Sequence, residues 1–148
     1  MTGRYLNDRC DHPLSLNVNI LCTRMDQWKG KTALVTGGSS GIGAAVSRRL
    51  ANEGMNVVSC ARRVDALYNA LGDDENIYIR RCDVSDPKEV EEMFDWIAGR
   101  PELGGGVDVA VLNAGITAGG RLLHTDPKDW RRMLDTNVLG LCVCAQVS

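Results

Sequence analysis

The stretch Thr36-Gly37-Gly38-Ser39-Ser40-Gly41-Ile42-Gly43 constrains this chain more than any other. A short apolar run, Thr32 to Thr36, leads into it, and an amphipathic run leads out. Gly37, Gly41 and Gly43 form a G-x-x-x-G-x-G pattern at that junction. Backbone without β-carbons lets a pyrophosphate approach closely. The first amides of the following helix then point at the anion, with the helix dipole behind them. Ser39 and Ser40 add hydroxyl donors. A glycine turn with no ligand is the plainer alternative, but the position after the first core strand favours the anion site.

The rest of the chain repeats the same alternation. Strands are predicted at Thr32–Thr36, Asn56–Cys60, Ile77–Cys82 and Val107–Leu112. Helices are predicted at Gly41–Glu53, with Ile42, Val46 and Leu50 on the inner face and Gly54 closing it, and at Val64–Leu71. Ser85-Asp86-Pro87 starts a third helix, on which Val90, Met93, Phe94 and Ile97 fall at i, i+3, i+4 and i+7. Gly99–Gly106 reads as a loop. Thr125-Asp126-Pro127 starts the last helix, with a face of Trp130, Met133, Leu134, Val138 and Leu141. Strands alternating with helices predict an α/β, Rossmann-type, doubly wound parallel sheet. Four strands supply order 3-2-1-4, with the later strands of such a sheet missing. Strand four is then expected to be an edge, with bare apolar faces beside it.

Four further positions carry chemistry. Cys60-Ala61-Arg62-Arg63 ends the second strand about 20 residues after the glycines. A carboxylate there would bind a ribose 2′-hydroxyl, whereas an arginine suits a 2′-phosphate. Arg62 and Arg63 therefore point to NADP(H), against the alternative of a solvated basic turn. Cys82-Asp83-Val84 ends strand three. Asp83 either accepts from an adenine amino group or helps cap the helix at Ser85 and Asp86. Leu112-Asn113-Ala114-Gly115 ends strand four with an amide and small residues that leave room for a ribose and a nicotinamide. Asn137 sits on the apolar face of the last helix, where an unpaired amide costs about 1–3 kcal/mol. It holds either an ordered water or a catalytic neighbour, or is a satisfied core amide.

Composition closes off other classes. The chain has 148 residues and a formal net charge of −2, so no basic stripe is available for nucleic acid. No apolar run is long enough to span a bilayer, and residues 1–24 lack a secretory h-region. The six cysteines include no CxxC pair with zinc spacing, so no metal is expected, and they read as reduced thiols of a cytoplasmic protein. Residues 1–27 are expected to be a disordered extension, although Leu14, Leu16, Val18 and Ile20 alternate like a strand. Residues 28–148 form an incomplete dinucleotide-binding domain.

Together these motifs resemble the short-chain dehydrogenase/reductase family. Thr36 to Gly43 matches its TGxxxGIG motif, which implies cofactor contacts at Gly37, Ser39, Ser40, Gly41, Ile42 and Gly43. Asp83, with Val84 beside it, matches the adenine-ring aspartate. Leu112 to Gly115 matches NNAG with Leu in place of the first Asn, implying contacts at Asn113, Ala114 and Gly115. Asn137-Val138-Leu139-Gly140 matches the motif holding the asparagine of the catalytic tetrad. Met25 to Lys31, Gly41 to Val46 and Cys60 to Arg63 are similar, more narrowly, to the dehydrogenase/reductase member-11 and insect farnesol-dehydrogenase-like group. That resemblance implies NADP-dependent interconversion of an alcohol and a carbonyl on a small lipophilic substrate, by a full-length homo-oligomer.

One departure matters. The family mechanism also needs a serine, and a tyrosine with a lysine four residues after it. Four positions after Tyr5, Tyr68 and Tyr78 lie Arg9, Gly72 and Cys82. Asn137 is thus the sole tetrad member here, and this chain alone is expected to be inactive. It reads as a fragment of an oxidoreductase. The alternative is a short form that binds NADP(H) without catalysis or interferes with a longer homologue. His124 reads as an exposed loop residue.

Overall fold

The computed structural model describes residues 26–148. The alternating segment Leu14–Ile20 and nearly all of the expected extension lie outside the described residues. Strands β1 (Thr32–Thr36), β2 (Asn56–Ala61), β3 (Ile77–Arg81) and β4 (Val109–Val111) form one parallel sheet of order β3-β2-β1-β4, as the strand–helix alternation predicts. The helices are α1 (Gly41–Asn52), α2 (Val64–Leu71), α3 (Pro87–Ala98), α4 (Pro127–Leu134) and α5 (Gly140–Val147). A π-helical turn, Asp135–Leu139, joins the last two.

The sheet separates two cores because successive side chains leave a strand on opposite faces. Ala33, Val35 and Val57 pack with Ala51, Leu67 and Leu71 of α1 and α2. Leu34, Val58 and Cys60 pack with Val90, Met93 and Ile97 of α3 and with Cys144 of α5. All five residues of β1 are buried, as a strand covered on both faces requires. Asp86 and Asp126 each cap their helix as the Asp-Pro pairs indicate, accepting from Lys88 N at 3.0 Å and Lys128 N at 2.8 Å.

Three expectations need correction. The inner face of α1 is Gly43, Ser47 and Ala51, while Ile42 is 74% exposed and Val46 and Leu50 are half-buried. Small residues win because α1 lies close on the sheet, where Ser47 Oγ donates to Ser59 Oγ at 3.2 Å. The last helix is likewise turned. Thr136, Gly140 and Cys144 are buried, whereas Trp130, Leu134, Val138 and Leu141 are exposed. The π-helical turn shifts the helical phase, and a β-carbon at Gly140 would lie 2.5 Å from the Val84 carbonyl oxygen, so only glycine permits the contact. Finally, the loop at 99–106 contains a 3-10 turn, Pro101–Leu103, whose buried Leu103 accepts from Thr32 Oγ1 at 2.8 Å.

Candidate functional site

A cleft of about 390 Å³ opens at the carboxyl ends of the strands, where the sheet order reverses between β1 and β4. The glycine turn forms its floor. Gly37 N and Gly38 N both donate to Cys60 O of β2, at 2.8 and 3.1 Å. Asn113 Nδ2 donates to the Thr36 and Gly37 carbonyls at 3.0 and 3.3 Å, and Ala114 N donates to Thr36 Oγ1 at 3.0 Å. The turn is thus tied to both neighbouring strands.

The glycines divide the work. A β-carbon on Gly43 would lie 2.4 Å from Gly37 O, so Gly43 brings α1 against the turn. Gly41 has φ +56° and nothing within 4 Å of its β-carbon position, so it opens toward free space. Ser40 is the N-cap residue of α1, yet its side chain makes no capping bond. The first-turn amides of α1 therefore stay available to an anion, as does the Ser40 hydroxyl.

Most of the residues singled out in the sequence meet here. Gly37, Ser39, Ser40 and Ile42 line the cleft from the β1–α1 turn. Arg62 and Arg63 line it from beyond β2, both exposed and neither in an ion pair among the described residues. Asp83 and Val84 line it from beyond β3, and Asn113, Ala114 and Gly115 from beyond β4. Gly41 and Gly43 are not among the lining residues. The cleft thus joins free amides, two guanidiniums and a carboxylate, a donor and acceptor set that suits a phosphorylated dinucleotide.

Asn137 stands apart from the lining. Its Oδ1 accepts from Ile116 N at 2.8 Å and its Nδ2 donates to Ile116 O at 2.9 Å. The side-chain amide is not buried in a core, and both its ends hold the segment after β4. Ile116 and Thr136 line the cleft without having been singled out. Ile116 carried no signal, since its position depends on that clamp.

Three described free thiols are buried, Cys60, Cys82 and Cys144, and Cys82 lines the cleft. A hydrogen bond with Cys82, together with burial, pushes the Cys60 thiol well up. Burial raises Cys144 to about 11. Cys60 and Cys144 therefore stay protonated and behave as core residues. On the acidic side, the Arg81 guanidinium and the Asp83 amide hold the Glu89 carboxyl below its ordinary range. No helix among the described residues is long and apolar enough to cross a membrane.

A parallel sheet of this order, with a glycine turn and open helix amides at its switch point, defines a doubly wound nucleotide-binding fold. A family model described as short chain dehydrogenase matches residues 31–148, and the chain belongs to that family. Its members are oxidoreductases that use nicotinamide cofactors. The chain is 46% identical over 128 residues to a farnesol dehydrogenase of Aedes aegypti, covering 82% of this chain and 51% of that protein. It is 39% identical over 128 residues to dehydrogenase/reductase SDR family member 11 of Gallus gallus, with 82% and 49% covered. A short-chain type dehydrogenase/reductase from Mycobacterium marinum superposes with a TM-score of 0.76 at 36% identity, covering 86% of this chain and 51% of that one. The chain therefore spans about half the length of the relatives it matches.

Proposed function

We propose that this chain is the NADP(H)-binding portion of an oxidoreductase that interconverts an alcohol and a carbonyl on a small lipophilic substrate. The observation that carries the cofactor choice is the pair Arg62 and Arg63 at the cleft, where an NAD site would place a carboxylate. A 2′-phosphate gives a partner to these guanidiniums, which form no ion pair among the described residues. The α1 amides, Ser39 and Ser40 hold the pyrophosphate, and Asp83 accepts from the adenine. Asn113, Ala114 and Gly115 bound the nicotinamide end, which when filled supplies or accepts a hydride. Asn137 holds that wall in place through Ile116. The substrate class follows the likeness to farnesol dehydrogenase.

The 148-residue sequence contains no Tyr-x-x-x-Lys. Taken alone, it is proposed to bind the dinucleotide without turnover. Residues 28–148 act as one nucleotide-binding unit, working in the cytoplasm within a homo-oligomeric full-length protein. A second reading, a short form that pairs with a longer homologue, draws on the exposed Leu134, Val138 and Leu141. Copurification with such a homologue, abolished by charged substitutions at those three positions, would support it. The cofactor assignment is tested by Arg62→Asp. Fluorescence titration should show the NADPH-over-NADH preference falling at least about tenfold, the worth of one charge-assisted contact of about 1.4 kcal/mol. An unchanged ratio would remove NADP(H) from the proposal.

A further inference from the structure

Residue 83 lies just beyond the hydrogen-bonded ladder of the sheet. The last bond between β2 and the chain leaving β3 runs from Cys82 N to Ala61 O at 3.2 Å. Among the described residues β3 is also the outer edge of the sheet, with no further strand to order the segment after it. Yet residue 83 is held at three atoms. Glu89 Oε2 accepts from Asp83 N at 2.8 Å. Asp83 O accepts from Asp86 N at 3.0 Å. Asp83 Oδ1 accepts from Ser85 N at 3.1 Å and from Ser85 Oγ at 2.7 Å. Only Oδ2 of this cleft-lining carboxylate has no donor among the described residues.

Glu89 occupies the third position of α3, after the Asp86 cap, where a glutamate ordinarily reaches back to the amide of the cap residue. Here it reaches three residues further, to Asp83. The same Oε2 accepts from Arg81 Nη1 at 2.7 Å. That guanidinium, with the Asp83 amide, holds the Glu89 carboxyl below its ordinary range despite the neighbouring Asp83 side chain.

We propose that Glu89 is the positioning residue for base recognition: its tie to the Asp83 amide, neutralised by Arg81, presents Asp83 Oδ2 as a fixed acceptor that selects an adenine amino group over an oxo group. The inference rests on the dinucleotide reading of the cleft. A 6-amino purine donates to Oδ2; a 6-oxo purine presents a second acceptor and is repelled. Glu89 acts through Asp83 and touches no ligand itself.

The test uses the 148-residue chain, titrated with NADPH and with its hypoxanthine analogue by fluorescence. Wild type should favour NADPH by about tenfold, the worth of one hydrogen bond to a charged acceptor. Glu89→Ala should collapse that ratio toward one by weakening NADPH while leaving the analogue nearly unchanged. Glu89→Gln keeps an acceptor for the Asp83 amide and should retain most of the preference. Arg81→Met should lie between the two, and it serves as the second variant should Glu89→Ala fail to give a cooperative melt. Equal weakening of both ligands by Glu89→Ala, or an unchanged ratio, overturns the role of Glu89 while leaving the cleft reading intact. Absence of NADPH binding by a folded wild-type chain overturns both.

Discussion

Strand β1 and the segment from α4 through α5 both carry large apolar side chains, yet these end in opposite environments. Every residue of β1 is buried, and Leu34 is 0% exposed. In the last helical segment Leu134 is 60% exposed and Val138 53%. The difference lies in neighbours. β1 has a strand on each side and helices on both faces, whereas β4 pairs only with β1 among the described residues. Apolar residues mark surface that can be covered; the number of packed neighbours decides whether it is.

A matched pair of truncations should separate the two environments most clearly. Leu34→Ala should cost about 2–5 kcal/mol in urea unfolding, through lost burial and a residual cavity. Leu134→Ala should change stability by less than about 0.5 kcal/mol. Equal costs would mean that the exposed face is covered in solution. Next in size is the glycine turn. Gly43→Ala forces a β-carbon against Gly37 O and should cost about 1–3 kcal/mol and weaken dinucleotide binding. Gly119→Ala meets no atom within 4 Å and should leave both measurements unchanged.

The smallest effect concerns the seam between β1 and β4. Asp108 Oδ2 accepts from Thr32 N at 2.9 Å, and Oδ1 pairs with Lys31 Nζ at 3.1 Å. The Thr32 amide first, and then Lys31, hold the Asp108 carboxyl below its ordinary range. A lowered carboxylate contributes stability that is present above the unfolded value, about pH 4, and lost as pH falls through the lower folded value. Denaturant midpoints measured from pH 5 down to pH 2 should therefore fall less steeply in Asp108→Asn than in wild type. Parallel curves would show that this contact adds nothing to the seam.

Much of the site was legible because its parts are local. Asp86-Pro87 and Asp126-Pro127 start helices through bonds spanning two residues, and both caps form. The glycine pattern, Arg62, Asp83 and Asn113 all sit at strand ends, and a parallel sheet brings strand ends together at one edge. The faces of α1 and of the last helix were not legible in the same way. Hydrophobic periodicity favoured Ile42 and Leu134, but close approach of backbone selected Gly43 and Gly140 instead. Nor does any local pattern announce that Asn137 spends both ends of its amide on Ile116, or that Glu89 passes over its own helix cap to hold Asp83.

The strand–helix order, the parallel sheet that such alternation implies, and the residue types at each strand end were all written in the sequence. These depend on spacing of a few residues and on the handedness of the chain. Only the tertiary structure decided which helix faces turn inward, which polar atoms are spent on backbone and which remain for a ligand. Those outcomes depend on contacts between residues distant in sequence, such as Asn113 with Gly37 and Gly140 with Val84, where a few tenths of an ångström decide whether a side chain fits.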